Sequence, residues 1–307
     1  MGKLINGKWE SKSIVTSGQK GNYERLVRGF REFISDSHPV FKPDSNRYHL
    51  YVSLACPWAH RTLIVRELKQ LQSHVSVSVV HPDMLENGWV FDTSFEEATE
   101  DSVNYKRYLY EVYQLADPSV TTSVTVPILW DKQTQTIVNN ESSEIIRQFN
   151  TSFNELTGHT LDLYPESLQN EIEKWNDYIY EPINNGVYKS GFAKTQSAYE
   201  EAVITLFNHL DGIEAHLENR SYLVGDKLTE ADIRLVTTLI RFDPVYVTHF
   251  KCNMRRLVDY PNISRYLSSL MQIEAVKDTT NLAHIKRHYY YSHDFINPFR
   301  IIPVGPV

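Results

Sequence analysis

The chain has two cysteines, Cys56 and Cys252, and one of them stands where a thiol gains reactivity. The stretch "YVSLACPWAHRTLIVREL" (51–68) runs apolar up to Cys56, places Pro57 directly after it, and then takes up helical spacing. Proline is well tolerated in a first helical turn. A helix opening at Cys56 or Pro57 would turn its unpaired first-turn N–H groups, and the positive end of its dipole, toward the Cys56 sulfur. Both favour the thiolate, the nucleophilic form of cysteine, and His60 and Arg61 lie one turn further on. The expected chemistry is attack on a sulfur. The fourth residue of "CPWA" is Ala59, where a dithiol oxidoreductase would carry a second cysteine, so a mixed disulfide on Cys56 has to be broken by a thiol from outside. A lone cysteine is more often a small core hydrophobe, and Cys252 in "THFKCNMRR" reads that way, as a structural residue.

Further motifs could complete a site. Pro127 in "TVPILWD" precedes a strand-like run, which points to an edge, a bulge or a cis bond. A cis-Pro127 opposite the thiol would leave the backbone of Val126 open to a peptide; an ordinary strand-start proline is the alternative. "VNNESSEII" sets Glu141, Ser142 and Ser143 at a helix start. Such a terminus binds a carboxylate, and a Glu beside it can hold an ammonium, although taken alone the pattern is a plain cap. His284 and His288 in "HIKRH" have a spacing that suits zinc, but no carboxylate base or third ligand accompanies them, and no metal is expected.

The elements that must position these residues follow from periodicity. Residues 47–150 read as β-α-β-α-β-β-α. The strands are "YHLYVSLA", "VSVSVV", "VTVPILWD" and "TIVN"; the helices are "PWAHRTLIVRELKQL", "VNYKRYLYEVYQLAD" and "ESSEIIRQFN". Strand, crossover and strand make a parallel pair, and the last two strands make a hairpin. A long polar insertion begins at residue 81. Residues 151–307 read as helices at 166–180, 196–219, 230–243, 261–271 and 279–290, and Thr229 with Asp232 forms a capping pair. The fold class is therefore α/β plus all-α, with residues 1–46 as an N-terminal extension ahead of two domains, 47–150 and 151–307. In the extension, Leu26, Val27, Phe30, Phe33 and Ile34 recur at helical spacing.

Bulk properties narrow the function. A net charge of −7 argues against DNA or RNA as the main partner. No apolar run is long enough to span a membrane, and the N-terminus lacks a signal core, so the cytosol is the expected compartment, where both cysteines stay thiols. The chain carries 19 tyrosines, enough for a few to line a pocket for a flat substrate while the rest pack ordinarily.

With "SLACPWAHR", "HPDM…GWVF", "TVPILWDK", "NNESSEII" and "INNGVYKSGFA" in this order, the chain resembles the glutathione transferases, and more narrowly the Xi class, the glutathionyl-hydroquinone reductases. The resemblance implies a thioredoxin-like glutathione-binding domain followed by an all-helical domain for substrate binding and dimerisation. It implies Cys56 as nucleophile, Trp89 packing against glutathione, and Val126 pairing with its cysteinyl part ahead of a cis-Pro127. Glu141 and Ser142 would hold the γ-glutamyl end, and Tyr188, Tyr246 and Tyr289 would surround the aromatic substrate. It further implies a homodimer, glutathione as co-substrate with no bound cofactor, and a glutathionylated aromatic small molecule as substrate. One departure stands out: the family carries Arg just before "VTVP", where it meets a glutathione carboxylate, and here that position is Ser123. Lys132 or an arginine from the insertion could stand in for it. Two rival readings remain open, an Omega-like thioltransferase or dehydroascorbate reductase using the same cysteine, and a non-catalytic binding protein on a transferase fold. The intact "CPWAHR" argues against the second.

Overall fold

Tyr48–Val52 (β5) is buried at every position, as a strand covered on both faces has to be. In the computed structural model, which describes residues 2–11, 16–17, 23–24 and 29–306, β5 lies inside a four-stranded sheet of order β6-β5-β8-β9. Its neighbours are Val75–Val79 (β6), parallel to it through the crossover helix Pro57–Leu68 (α1), and Ile128–Asp131 (β8), antiparallel. Thr136–Asn139 (β9) closes the hairpin with β8, and Ser142–Thr151 (α3) packs against α1. The parallel pair and the hairpin are those expected from the order of elements, and the arrangement is the thioredoxin-like one that the resemblance implies. Asn154–Thr157 (α4) follows it. The Arg47 guanidinium clamps the far end of β8 through two bonds to the buried Asp131 carboxylate, at 2.9 and 2.6 Å.

A second, smaller sheet was not foreseen. Lys3–Ile5 (β1) pairs with Lys8–Glu10 (β2) on one side and with Thr122–Ser123 (β7) on the other, both antiparallel. The N-terminal residues are thereby joined to the segment that leads to Val126. Trp9 on β2 stacks on Tyr110 at 4.8 Å, and its indole N–H donates to the Glu86 carbonyl at 3.2 Å. The same ring fills the space where a Gly88 side chain would stand, 2.8 Å from an ideal Cβ, and Gly88 also has a left-handed φ of +68°. Glycine meets both demands.

Two expectations need correction. The helix read over "VNYKRYLYEVYQLAD" begins only at Leu109 and runs to Ala116 (α2). The buried Asp101 carboxylate accepts the N–H groups of Val103, Asn104 and Lys106, each at 3.1 Å, and folds residues 101–106 into a loop instead. Leu26 and Val27 lie outside the described residues, and Phe30, Phe33 and Ile34 are not helical. That segment runs extended along β9 and α3: Glu32 N–H donates to Val138 at 2.9 Å, Ile34 N–H to Gln148 at 2.9 Å, and Arg31 pairs with Glu144. The open edge of β9 outweighs a five-residue helical pattern.

The chain divides into two compact units, the first comprising Met1–Ile14, Leu26–Leu161 and Thr279–His288, the second Val15–Arg25, Asp162–Asp278 and Tyr289–Val307. Among the described residues of the second, the regular elements are helices apart from the short pair Thr16–Ser17 (β3) and Tyr23–Glu24 (β4). Its helices are Gln169–Ile179 (α5), Gly186–Gly191 (α6), Gln196–His216 (α7), Glu230–Arg241 (α8), Pro261–Leu270 (α9) and Glu274–Asp278 (α10). Leu282–Ser292 (α11) starts in the first unit and ends in the second. Among the described residues, no helix is long and apolar enough to cross a membrane.

The capping pair read at 229–232 is present and does more than cap. The fully buried Asp232 accepts from Thr229 N–H and hydroxyl at 2.9 and 3.0 Å, from Leu223 N–H at 2.9 Å, and from the Tyr266 hydroxyl at 2.8 Å. Asp232→Ala leaves these donors buried without an acceptor, and we expect a loss of at least about 3 kcal/mol, read as a lower urea midpoint with an unchanged slope.

Candidate active site

Cys56 is the N-cap of α1, with extended dihedrals (φ −79°, ψ 122°) and Pro57 at the first helical position. Its N–H donates to the Ser53 carbonyl at 3.1 Å, and its own carbonyl accepts the His60 N–H at 2.9 Å, so the sulfur stands at the mouth of the first turn. The side chain is half-buried. Its thiol donates to the Val126 carbonyl at 3.7 Å, a normal length for a sulfur donor. The Val126–Pro127 peptide is cis. Cysteine, Val126 and cis-Pro127 are thus together, as their types and order suggested. His60 and Arg61 are engaged by other partners: the His60 ring bonds to the Thr279 hydroxyl at 3.0 Å, and the Arg61 guanidinium lies 4.4 Å over the Trp58 ring.

The second motif sits close by through the fold. Glu141 is the N-cap of α3 and accepts from the Ser143 N–H and the Ser142 and Ser143 hydroxyls at 3.3–3.4 Å. Ser142 is fully buried. The tie between this helix start and the Val126 segment is Tyr113, on α2. Its hydroxyl donates to the Thr125 carbonyl at 2.9 Å and accepts from the Asn140 side chain at 3.1 Å. Tyr113 and Asn140 were missed as site residues; Tyr113 was visible only as one of several apolar-face residues of a helix.

Trp89 is buried and stacked on His288 at 4.8 Å with an interplanar angle of 24°. The two histidines at zinc-like spacing, His284 and His288, have other roles. The His288 ring bonds to the Pro82 carbonyl at 2.9 Å and His284 to the Glu96 carbonyl at 2.6 Å, while Arg287 between them makes two 2.7 Å bonds to Asp83. All three fasten the insertion. A cleft of about 650 Å³ opens there, walled by His81, Asp83, Phe95, Arg107, Tyr108 and Arg287 rather than by Cys56.

In the helical unit, Tyr188, Tyr246 and Tyr289 come from three separate segments and converge on one another. The Tyr289 hydroxyl is 2.6 Å from that of Tyr188 and 3.1 Å from that of Tyr246. Burial, with Tyr188 and Tyr246 alongside, holds the Tyr289 phenol well above the ordinary tyrosine range, so it remains a protonated donor. Cys252 is fully buried, and burial pushes its thiol up to about 12, which leaves it neutral and closed.

The model of the glutathione S-transferase N-terminal domain matches residues 55–152, and that of the C-terminal domain residues 196–268. The chain is 51% identical to the glutathionyl-hydroquinone reductase YqjG of Escherichia coli K12, over 100% of this chain and 95% of that protein. The crystal structure of the Xi glutathione-S-transferase of Phanerochaete chrysosporium superposes with a TM-score of 0.93 at 53% identity, covering 95% of both chains. The glutathione-bound structure of YqjG gives a TM-score of 0.90 at 49% identity, covering 100% of this chain and 96% of that one. Both domain models match in order and identity is sustained along the whole length, so the chain belongs to the Xi class of glutathione transferases.

Proposed function

We propose that the chain is a glutathione-dependent thiol reductase that removes glutathione from glutathionyl-hydroquinones. The observation that carries this is the half-buried Cys56 at the start of α1, against the Val126 carbonyl and without a second thiol at position 59. The Cys56 thiolate attacks the sulfur of the glutathionyl group. The carbon–sulfur bond breaks, the aromatic carbon leaves with the electron pair, and it takes up a proton. Cys56 is left disulfide-bonded to glutathione. The thiolate of a second glutathione attacks that disulfide, releases glutathione disulfide and restores Cys56. The net reaction consumes one glutathione per hydroquinone released. Glutathione is a co-substrate, and the residues of the site call for no metal or organic cofactor.

The binding roles follow the site's chemistry. Trp89, Val126, Pro127, Glu141 and Ser142 hold glutathione, Glu141 by its carboxylate toward the ammonium and Ser142 at the head of α3 toward the carboxylate. Tyr188, Tyr246 and Tyr289 receive the aromatic part, and the hydrogen-bonded, protonated Tyr289 supports that reading. Residues 47–150 then form the glutathione-binding domain and 151–307 the domain for substrate and for a homodimer, in the cytosol. Light scattering on the purified chain tests the dimer.

The deciding experiment is turnover of glutathionyl-menadiol against dehydroascorbate and hydroxyethyl disulfide on one sample; preference for either of the last two would favour the Omega-like reading. Cys56→Ser should abolish all turnover and Cys252→Ser should not. Native protein treated with iodoacetamide at neutral pH should be labelled at Cys56 and spared at Cys252, since a thiol raised to about 12 stays protonated there. Glutathione found by mass spectrometry on Cys252 and not on Cys56 would overturn the mechanism.

Ala59 is fully buried in the first turn of α1, so Ala59→Cys should close a disulfide with Cys56 on mild oxidation, seen as the loss of two titratable thiols. Tyr289→Phe should lower kcat for the aromatic adduct on the order of 100-fold if the phenol delivers the proton. Hydroxyethyl disulfide, which needs no proton on carbon, should lose far less.

A further inference from the structure

Two buried histidines meet ring to ring beside the tyrosine cluster. His249 Nε2 lies 3.1 Å from His293 Nδ1, and the residues are 4% and 5% exposed. The ring centres are 5.3 Å apart and the planes differ by 20°. That separation is close to the N···N distance plus the two ring radii, so the rings meet edge to edge, nearly in one plane, rather than face to face. A ring N–H lies in the plane of its imidazole, so the bond is well directed, with one ring donating and the other accepting.

The place of the pair in the chain gives it a task. His249 follows Tyr246 by three residues and is held to the same turn: its N–H donates to the Val245 carbonyl at 2.7 Å, and the Phe250 N–H to the Tyr246 carbonyl at 3.2 Å. His293 follows Tyr289 by four residues and stands just past the end of α11. The last turn of a helix leaves carbonyls without intrahelical partners and is the part that frays. Tyr289 belongs to that turn. Three bonds tie it to the segment of Tyr246: the Tyr290 hydroxyl to the Pro244 carbonyl at 3.0 Å, the Tyr246 and Tyr289 hydroxyls at 3.1 Å, and the histidine pair, which is the one beyond the end of α11. Phe250 packs between them. Its ring is 5.4 Å from Tyr246, 5.6 Å from Tyr289 and 6.0 Å from His293. Gly191 admits it, since a Cβ there would stand 2.2 Å from the ring. A shift at His293 therefore reaches Tyr289 through packed rings as well as along the helix.

We infer that His249 and His293 are positioning residues for Tyr289: their bond ties the end of α11 to the segment of Tyr246 and holds the Tyr289 phenol where it delivers a proton to the aromatic leaving group. The inference rests on the proposed function, in which the departing carbon takes up a proton, and deepens it. Neither histidine touches the substrate or carries that proton in this scheme.

The test uses the full-length chain and two substrates: glutathionyl-menadiol, which needs a proton on carbon, and hydroxyethyl disulfide, which does not. His249→Phe and His293→Phe keep a ring and lose the bond. Each should lower kcat for the aromatic adduct about 10-fold, inside the loss expected of Tyr289→Phe, and leave hydroxyethyl disulfide turnover and the glutathione KM within about 2-fold. The two together should cost no more than either alone, and either one added to Tyr289→Phe should cost nothing further. Amide replacements give an independent reading. A Gln amide reaches the place of Nε2 and an Asn amide that of Nδ1. Turnover of the aromatic adduct should therefore be kept by His249→Gln and lowered by His249→Asn, and kept by His293→Asn and lowered by His293→Gln. A simple need for a polar side chain would give the same order at both positions. Wild-type kcat in both Phe variants, equal losses on the two substrates, or losses that multiply in the Tyr289→Phe background would overturn the inference alone. Should the Phe variants not fold, the same Asn–Gln order at both positions overturns it. Full turnover of the aromatic adduct by Tyr289→Phe would remove the proton donor, and this inference with it, and leave the thiol-reductase reading standing. A wild-type sample with no glutathione-dependent turnover would overturn the proposed function itself.

Discussion

A single buried hydroxyl holds the segment beside Cys56 and the start of α3 in register. Residues 124–127 belong to no strand, so their own backbone bonds cannot fix them, and the start of α3 hangs on the end of a four-residue strand. Tyr113 supplies what the ladder does not. Its hydroxyl joins the carbonyl before Val126 to the side chain before Glu141. The ring is fully buried, so neither bond competes with water, and in that setting a satisfied network is stiff. The Cys56 sulfur depends on this at one remove, because its own contact is to the Val126 carbonyl.

The parts of this arrangement that sequence discloses are those with local signals. Pro57 after Cys56, the strand-to-helix change of period, and the Thr229–Asp232 spacing each act within a few residues, and each is present as read. Cys252 is legible for the opposite reason: no local feature marks it, and it proves to be sealed in the core. What stays hidden depends on partners distant in the chain. β7 is too short for a periodicity and becomes a strand only by finding β1 across more than a hundred residues. Asp101 turns a helical pattern into a loop by capturing three N–H groups, which no propensity scale anticipates. The three tyrosines are ordinary among the 19 in the chain until tertiary packing brings their hydroxyls together.

The long insertion illustrates how a polar segment is kept in one shape without a core of its own. It is fastened from one side by Trp9 and from the other by three successive functional groups, those of His284, Arg287 and His288. The stack of His288 on Trp89 is part of this fastening, which makes Trp89 a structural joint. The two histidines at zinc-like spacing thus bond backbone carbonyls, and the carboxylate is taken by Arg287 between them.

The contact between Trp9 and Gly88 has a consequence for how such chains diverge. A side chain at 88 would collide with the indole and would also have to accept a left-handed backbone, so position 88 is open to change only after position 9 has shrunk, and then to a residue such as asparagine. The two sites, 79 residues apart, are therefore coupled by sterics. Shrinking residue 9 would free the loop that carries Trp89 to take a side chain at position 88.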